Sequence, residues 1–454
     1  MRVLFAQECQ DAKDALRRQN PVTCPITIIL QRGMTNVGCC MIDELLLGNF
    51  KGIRELQLKL RKVTVLIGPN GSGKSSVLQA LALLKQSLRN TNLVLNGDEV
   101  SLNSWKDTIF RGDAQNELTV SIVGGLGWGI ESRYACTMKF RNANVSSVRA
   151  VTKLDGKTFD AVWESQGGHK IGTLKVGKAS FLQYAASAQI GNLFSIAGGN
   201  VGADERTEYD KVANETSDTF NKLNQQLTQD ISSFLFLGPV RGFTAPTYDF
   251  LGGPSASFLS PRQDATPPSR MLSTMAYRKE IVRATDEMTR YLFSVGSDLA
   301  FDPPQRPYLE AVHDGFTINA INEGSGFNQL ALALSQFAAV PNNSTIAIEE
   351  PEIHLHPEMQ RKLITLLIAK AKETQKRLIF TTHSEHILLA IIGAMMKGEL
   401  AASDLCIYQF SKTERGVEAK ETSVSDKGII DPPLKDFFET NVSELRDLLQ
   451  SMSR

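Results

Sequence analysis

Gly68-Pro69-Asn70-Gly71-Ser72-Gly73-Lys74-Ser75 is the stretch that decides how this chain folds. It fits G-x-x-x-x-G-K-[ST] and sits between two apolar runs, Val63-Thr64-Val65-Leu66-Ile67 before it and Val77-Leu78-Gln79-Ala80-Leu81-Ala82-Leu83-Leu84 after it. Strand, glycine-rich turn and helix therefore follow in the order that a phosphate-binding loop requires. Glycines let successive backbone N–H groups turn inward around a polyphosphate, and the helix N-terminus adds partial positive charge there. In that geometry Lys74 faces the β- and γ-phosphates and Ser75 faces Mg²⁺, with Ser76 completing the cradle. ATP and Mg²⁺ are the expected ligands.

Composition narrows the class without naming a partner. Of 454 residues, 42% are hydrophobic and 22% charged, the balance of an ordinary globular chain with room for two or three domains. Lys+Arg and Asp+Glu are both 49, so no global basic charge announces nucleic acid, although a local groove would be hidden in that sum. No apolar run reaches the ~18 residues of a membrane span. Pro25-Ile26-Thr27-Ile28-Ile29-Leu30 is too short and too late for a secretory signal. These features predict a cytoplasmic protein with reduced thiols and no membrane partner. Cys9, Cys24, Cys39 and Cys40 crowd the first 40 residues, but without the paired C-x-x-C spacing of a zinc site.

Outward from the loop, Met41 opens a strand-like stretch through Ile53, and Leu56, Leu58 and Leu60 then alternate with polar residues. Residues 1–40 fit poorly with this pattern and read as an extension. Glu117–Val123 and the segments from Tyr134 to about Phe159 predict a small antiparallel sheet, with Gly124-Gly125-Leu126-Gly127-Trp128-Gly129 as a hairpin turn. Phe220, Leu223, Leu227 and Ile231 predict one amphipathic helix over 207–236 that runs into a buried strand at Phe234–Gly238. Six prolines between Pro239 and Pro268 predict a long surface loop, followed by a helix from Ala276 to Phe293. Arg241, at the strand end, could meet phosphate, a neighbouring subunit or a local carboxylate.

The second half carries three further elements. Ser344-Thr345-Ile346-Ala347-Ile348-Glu349-Glu350-Pro351-Glu352 is an apolar strand that ends in carboxylates, at the mouth of a parallel sheet where Mg²⁺ and the γ-phosphate are expected. There Glu349 would support the metal shell and Glu350 would polarise the attacking water. Arg377-Leu378-Ile379-Phe380-Thr381-Thr382-His383-Ser384 is a second buried strand, and His383 at its end can hydrogen-bond the γ-phosphate and that water. Asn322-Glu323-Gly324-Ser325-Gly326-Phe327-Asn328-Gln329 opens an apolar helix whose N-terminus offers Ser325 and Gly326 to an anion, a weak signal alone.

Together these residues resemble the ATP-binding-cassette ATPases of the SMC/RecF/OLD-like branch, and more narrowly the AAA-type predicted ATPases of bacteria and archaea. The resemblance rests on the Asn49-Phe50-Lys51 hairpin, Gly68–Ser76, the Gly324–Gln329 element, Ile348–Pro357 and Thr381–Ser384. It implies an α/β P-loop NTPase of ABC type, with a mixed central sheet flanked by helices on both sides, an antiparallel lateral β lobe and a helical insertion. The implied division is 41–100 with Walker A, 101–310 as the insertion, and 311–454 with signature, Walker B and switch histidine. By the same resemblance Gly324-Ser325-Gly326 is the signature that contacts the γ-phosphate held by another subunit, Ile353–His356 is the D-loop and His383 the switch histidine. Two departures stand out: the signature is far from LSGGQ, and Glu349 replaces the commoner Asp.

The resemblance further implies an ATP-dependent homodimer or higher oligomer that hydrolyses ATP. An OLD nuclease would carry a TOPRIM domain after the switch histidine, and none is expected here. The output is then expected in a partner: an effector protein encoded nearby, or DNA, with the chain as motor or sensor in DNA-related or phage-defence roles. The alternative is a regulatory ATP-dependent scaffold with no nucleic-acid substrate.

Overall fold

The computed structural model describes residues 41–125, 133–154, 157–166, 169–176, 179–185, 206–251, 266–303, 305–425, 428 and 430–431. The N-terminal extension, the glycine run from Leu126 to Gly129 and the chain after Asp431 lie outside these residues.

The strand ahead of the glycine loop, β3 (Val63–Ile67), is buried at every position. It lies inside a seven-stranded sheet of order β10-β14-β15-β3-β16-β17-β18, built from β10 (Leu235–Leu237), β14 (Thr345–Glu349), β15 (Arg377–Thr382), β16 (Leu405–Thr413), β17 (Gly416–Val424) and β18 (Ile430–Asp431). The first five strands in that order run parallel, β17 pairs antiparallel with β16, and β18 pairs antiparallel with β17. Uninterrupted apolar strands are what a parallel sheet covered on both faces demands.

Both faces are covered. On one, Leu66, Ala347, Ile379 and Phe410 pack with α1 (Lys74–Ser87) and α2 (Arg206–Ser232). On the other, Val65, Ile67, Ile348 and Phe380 pack with α3 (Pro267–Tyr277), α4 (Lys279–Phe293), α5 (Ser325–Ala339), α6 (Pro357–Glu373) and α7 (Glu385–Met396). A second, eight-stranded antiparallel sheet has the order β2-β1-β4-β5-β6-β7-β8-β9. It comprises β1 (Ile42–Phe50), β2 (Ile53–Lys59), β4 (Leu118–Gly125), β5 (Arg133–Arg141), β6 (Asn144–Leu154), β7 (Lys157–Gln166), β8 (His169–Val176) and β9 (Ala179–Ala185). The hairpin before the glycine loop and the lateral strands are thus one sheet, with Leu46 opposite Ser121. The mixed sheet, the helices on both of its faces and the antiparallel lobe match the expected fold class.

Two local expectations change. The helix expected from Ala276 is two helices broken at Arg278 (φ −123°, ψ 80°). The first begins inside the expected proline loop, because Pro267 and Pro268 occupy positions where a helix needs no N–H, and the Thr266 hydroxyl accepts from Ser269 N. A three-stranded sheet of β11 (Gly296–Asp302), β12 (Arg306–His313) and β13 (Phe316–Asn319) precedes α5. Among the described residues no helix is long and apolar enough to cross a membrane.

Phe380 is fully buried between β3 and β14. Phe380→Ala is expected to cost about 3–5 kcal/mol, as a cavity in a core that cannot collapse. A urea midpoint unchanged from wild type would contradict that packing.

Candidate nucleotide site

Register brings the site together. Ile67 pairs with Thr382, and Thr381 pairs with Glu349, so β3, β15 and β14 end on one row of the sheet. The residues that follow, Gly68, His383 and Glu350, emerge at the same carboxyl edge, where parallel sheets bind ligands.

The loop itself requires glycine. Gly68 has φ +146°, and a Cβ there would lie 2.4 Å from the Phe410 carbonyl oxygen. Gly73 has φ +99°, and a Cβ there would lie 2.8 Å from the Val417 methyls, whereas Gly71 (φ +72°) faces open space. The turn is pressed against β16 and β17 on one side and open on the other, through left-handed conformations that side chains disfavour. Pro69 O accepts from Ser72 N at 3.2 Å, which closes the turn over Asn70. Ser75 and Ser76 lie in the first turn of α1.

Lys74 is buried, and its amine donates to Gly68 O (2.7 Å) and Pro69 O (2.9 Å) and lies 3.0 Å from His383 Nε2. An ammonium has three donors and no acceptor, so Nε2 accepts and the imidazole is neutral, with its proton on Nδ1. Burial and the Lys74 charge hold the His383 pKa below 6.5, against the pull of Glu350 and Glu352. Burial also lowers Lys74 from its ordinary value, opposed by Glu350, Glu352 and Glu349.

The carboxylates occupy distinct settings. Glu349 is 5% exposed; burial raises its pKa, and the Ser75 hydroxyl works against that shift. Its Oε1 is buried without a hydrogen-bond partner, as is Ser72 Oγ. A serine hydroxyl beside a carboxylate with an unused buried oxygen is a hard-oxygen donor set suited to Mg²⁺. Glu350 is half-buried in a left-handed conformation (φ 44°), held by its N–H to Thr381 O at 2.9 Å, with Oε1 3.9 Å from His383 Nε2. Asn49 (φ 56°), Lys51 (φ 51°) and His354 (φ 61°) share that disfavoured backbone, which is a recurrent feature of functional sites.

Three contributors are not assigned by sequence. Glu352 Oε1 accepts from Thr382 Oγ1 (2.7 Å) and from His383 N (2.8 Å), which fixes the backbone that carries the histidine. Lys51 bonds to Gln79 on α1 and feels the Glu349 charge, while burial lowers its pKa. Arg241 makes no hydrogen bond to a carboxylate among the described residues: Nη1 donates to Gly238 O (2.8 Å) and Glu349 O (2.7 Å), and Nη2 to Glu350 O (3.0 Å). Glu352 stands in an acidic strand end that flags the neighbourhood, but no sequence signal specifies backbone carbonyls as the partners of Arg241.

The structure thus brings together Gly68–Ser76, Glu349, Glu350 and His383. Ser325 and Gly326 stand apart: among the described residues no hydrogen bond joins them to the loop. Ser325 is exposed at the start of α5, whose N-cap Gly324 supplies no side chain, and a Cβ at Gly326 would lie 3.1 Å from the His354 carbonyl oxygen. On geometry, Ser325 is therefore presented outward.

In an NMR titration, His383 is expected to appear as the Nδ1–H tautomer with a pKa below 6.5, because protonation would set a second cation against Lys74. A pKa above 6.5 would contradict the Lys74–His383 contact.

A protein of Thermus scotoductus named OLD nuclease is 24% identical over 364 residues, 76% of this chain and 59% of its own length. An uncharacterised protein of Methanocaldococcus jannaschii is 49% identical over 45 residues, 10% of this chain and 20% of its own. The chain thus spans about a fifth and three-fifths of the length of these relatives. Among solved structures, an Smc head bound to the C-winged helix domain of ScpA superposes with a TM-score of 0.46 at 14% identity, covering 85% of this chain and 98% of that one. The Pyrococcus furiosus Smc head with an extended coiled coil gives 0.44 at 12% identity, covering 91% and 100%. The family model described as AAA ATPase domain matches residues 41–148 and 174–388, well over half of the sequence. The chain belongs to the AAA ATPase domain family.

Proposed function

We propose that the chain binds ATP with Mg²⁺ and hydrolyses it at the carboxyl edge of the seven-stranded sheet. The convergence of Lys74, His383 and Glu350, from three strands ending in one register, carries this reading. Backbone N–H groups of Gly68–Gly73 hold the phosphates, and the Lys74 ammonium exchanges its loop carbonyls for phosphate oxygens. Ser75 and Glu349 would hold Mg²⁺, which when bound neutralises charge on the phosphates. Glu350, exposed enough to meet water, orients the nucleophile, while the Lys74 ammonium holds His383 neutral beside it.

The outward Ser325 supports a composite site in which the signature of one copy meets the phosphate of another, so that ATP closes a dimer and hydrolysis opens it. The likeness to a protein named OLD nuclease favours an output on nucleic acid through a partner, over a scaffold that binds ATP alone. Chemistry is expected to fail while binding survives in Glu350→Gln, which should retain ATP, accumulate as dimer in size-exclusion chromatography and lose about 10²-fold or more in turnover. Lys74→Ala is expected to lose nucleotide binding, read by equilibrium dialysis. Wild-type turnover in Glu350→Gln would remove Glu350 from the reaction. Stimulation of wild-type turnover by added DNA supports the nucleic-acid output, and nucleotide-dependent oligomers indifferent to DNA favour the scaffold.

A further inference from the structure

Arg241 lies in neither the phosphate loop nor the signature element, yet its short segment joins the strand end at Glu349-Glu350 to helix α5. Its guanidinium holds the Glu349 and Glu350 carbonyls, with Gly238 O as the third acceptor. Two residues on, Phe243 N donates to Asn328 Oδ1 (2.7 Å) and Asn328 Nδ2 donates to Phe243 O (3.1 Å). Asn328 stands in the first turn of α5, three residues after Ser325. Gly242 between the two anchors has φ +116°, and a Cβ there would lie 3.1 Å from Asn328 Oδ1 and 3.3 Å from Gln329 Cα. The segment is therefore pressed onto the helix, and Phe243 is buried beneath it.

The choice of acceptors is informative. Three carboxylates, Glu349, Glu350 and Glu352, lie within the electrostatic reach of Arg241. The guanidinium nevertheless gives its three hydrogen bonds to backbone carbonyls, with Nε buried and unpartnered, which leaves the Glu349 and Glu350 side chains to other partners. A planar fork can span two successive carbonyls and fix the peptide between them, as a lysine point charge cannot. That peptide links the two residues assigned to metal support and water orientation, one of them in a disfavoured backbone conformation.

We infer that Gly238–Phe243 is a strap by which Arg241 acts as a positioning residue, coupling the Ser325 end of α5 to the Glu349–Glu350 peptide. Under the ATPase reading, on which this inference rests, contact made by Ser325 with a second copy is conveyed through Asn328, Phe243 and Arg241 to this chain's own carboxylates. The strap therefore links the half-site that a chain lends to its partner with the half-site it keeps.

The test measures fluorescent-ATP affinity and steady-state turnover for wild type, Lys74→Ala, Arg241→Lys, Asn328→Ala and the double variant R241K/N328A. Arg241→Lys is expected to keep nucleotide affinity within about two-fold and to lose roughly 10- to 100-fold in kcat, the usual effect of removing an orienting partner. Asn328→Ala is expected to show the same split between kept affinity and reduced kcat, and the double variant to be no slower than Arg241→Lys alone. Asn328 is half-exposed, so its variant reads the coupling by itself if Arg241→Lys does not fold. Equal turnover in wild type and Lys74→Ala would overturn the ATPase reading and the strap with it. Wild-type turnover well above Lys74→Ala, with kcat unchanged in both strap variants or with their effects multiplying in the double variant, would overturn the strap alone.

Discussion

One ammonium group ties the site together. Lys74 Nζ has three donors and three acceptors, two on the phosphate loop and one at the end of β15. Two of those acceptors are loop carbonyls and the third is the His383 ring, so one cation links the loop to the end of β15 and holds the imidazole neutral. The glycines make this arrangement possible: with Phe410 and Val417 behind the turn, a side chain at Gly68 or Gly73 would push the loop off the sheet.

Around that cation the acidic groups are graded by burial. Glu349 is driven toward its neutral form by desolvation and needs a cation to be charged at low cost, whereas Glu350 remains half-exposed. Glu352 does neither job: it anchors the His383 backbone. On the proposed ATPase reading, three carboxylates within four residues take three roles, each matched to its burial and to the groups it meets. The left-handed conformation of Glu350 is part of that division, since it redirects the chain directly after β14.

Much of this was legible in the sequence, because the phosphate loop, the acidic strand end and the strand-end histidine each leave a local pattern of apolar run followed by functional residue. The inner strands β3, β14 and β15 could be anticipated for the same reason, since they are buried at every position and are rich in Val, Ile, Leu and Phe. What stayed hidden was long-range. The pairing of β1 with β4 depends on long-range register, seen also in Asn49 Nδ2 donating to Glu117 O across 68 residues. Arg241 meets carbonyls 108 and 109 residues away, and backbone acceptors carry no residue identity to read. The break at Arg278 is invisible to periodicity because both flanking segments keep a helical pattern.

In the proposed composite site the two halves lie on different copies of the chain, and mixing two defective chains tests this most directly. A Lys74→Ala chain keeps its signature and a Ser325→Arg chain keeps its phosphate loop, so each alone should be inactive. Together they should form mixed dimers with one intact composite site and recover ATP hydrolysis. Failure of the mixture to recover activity when the wild type hydrolyses ATP, or full activity in Ser325→Arg alone, would contradict it.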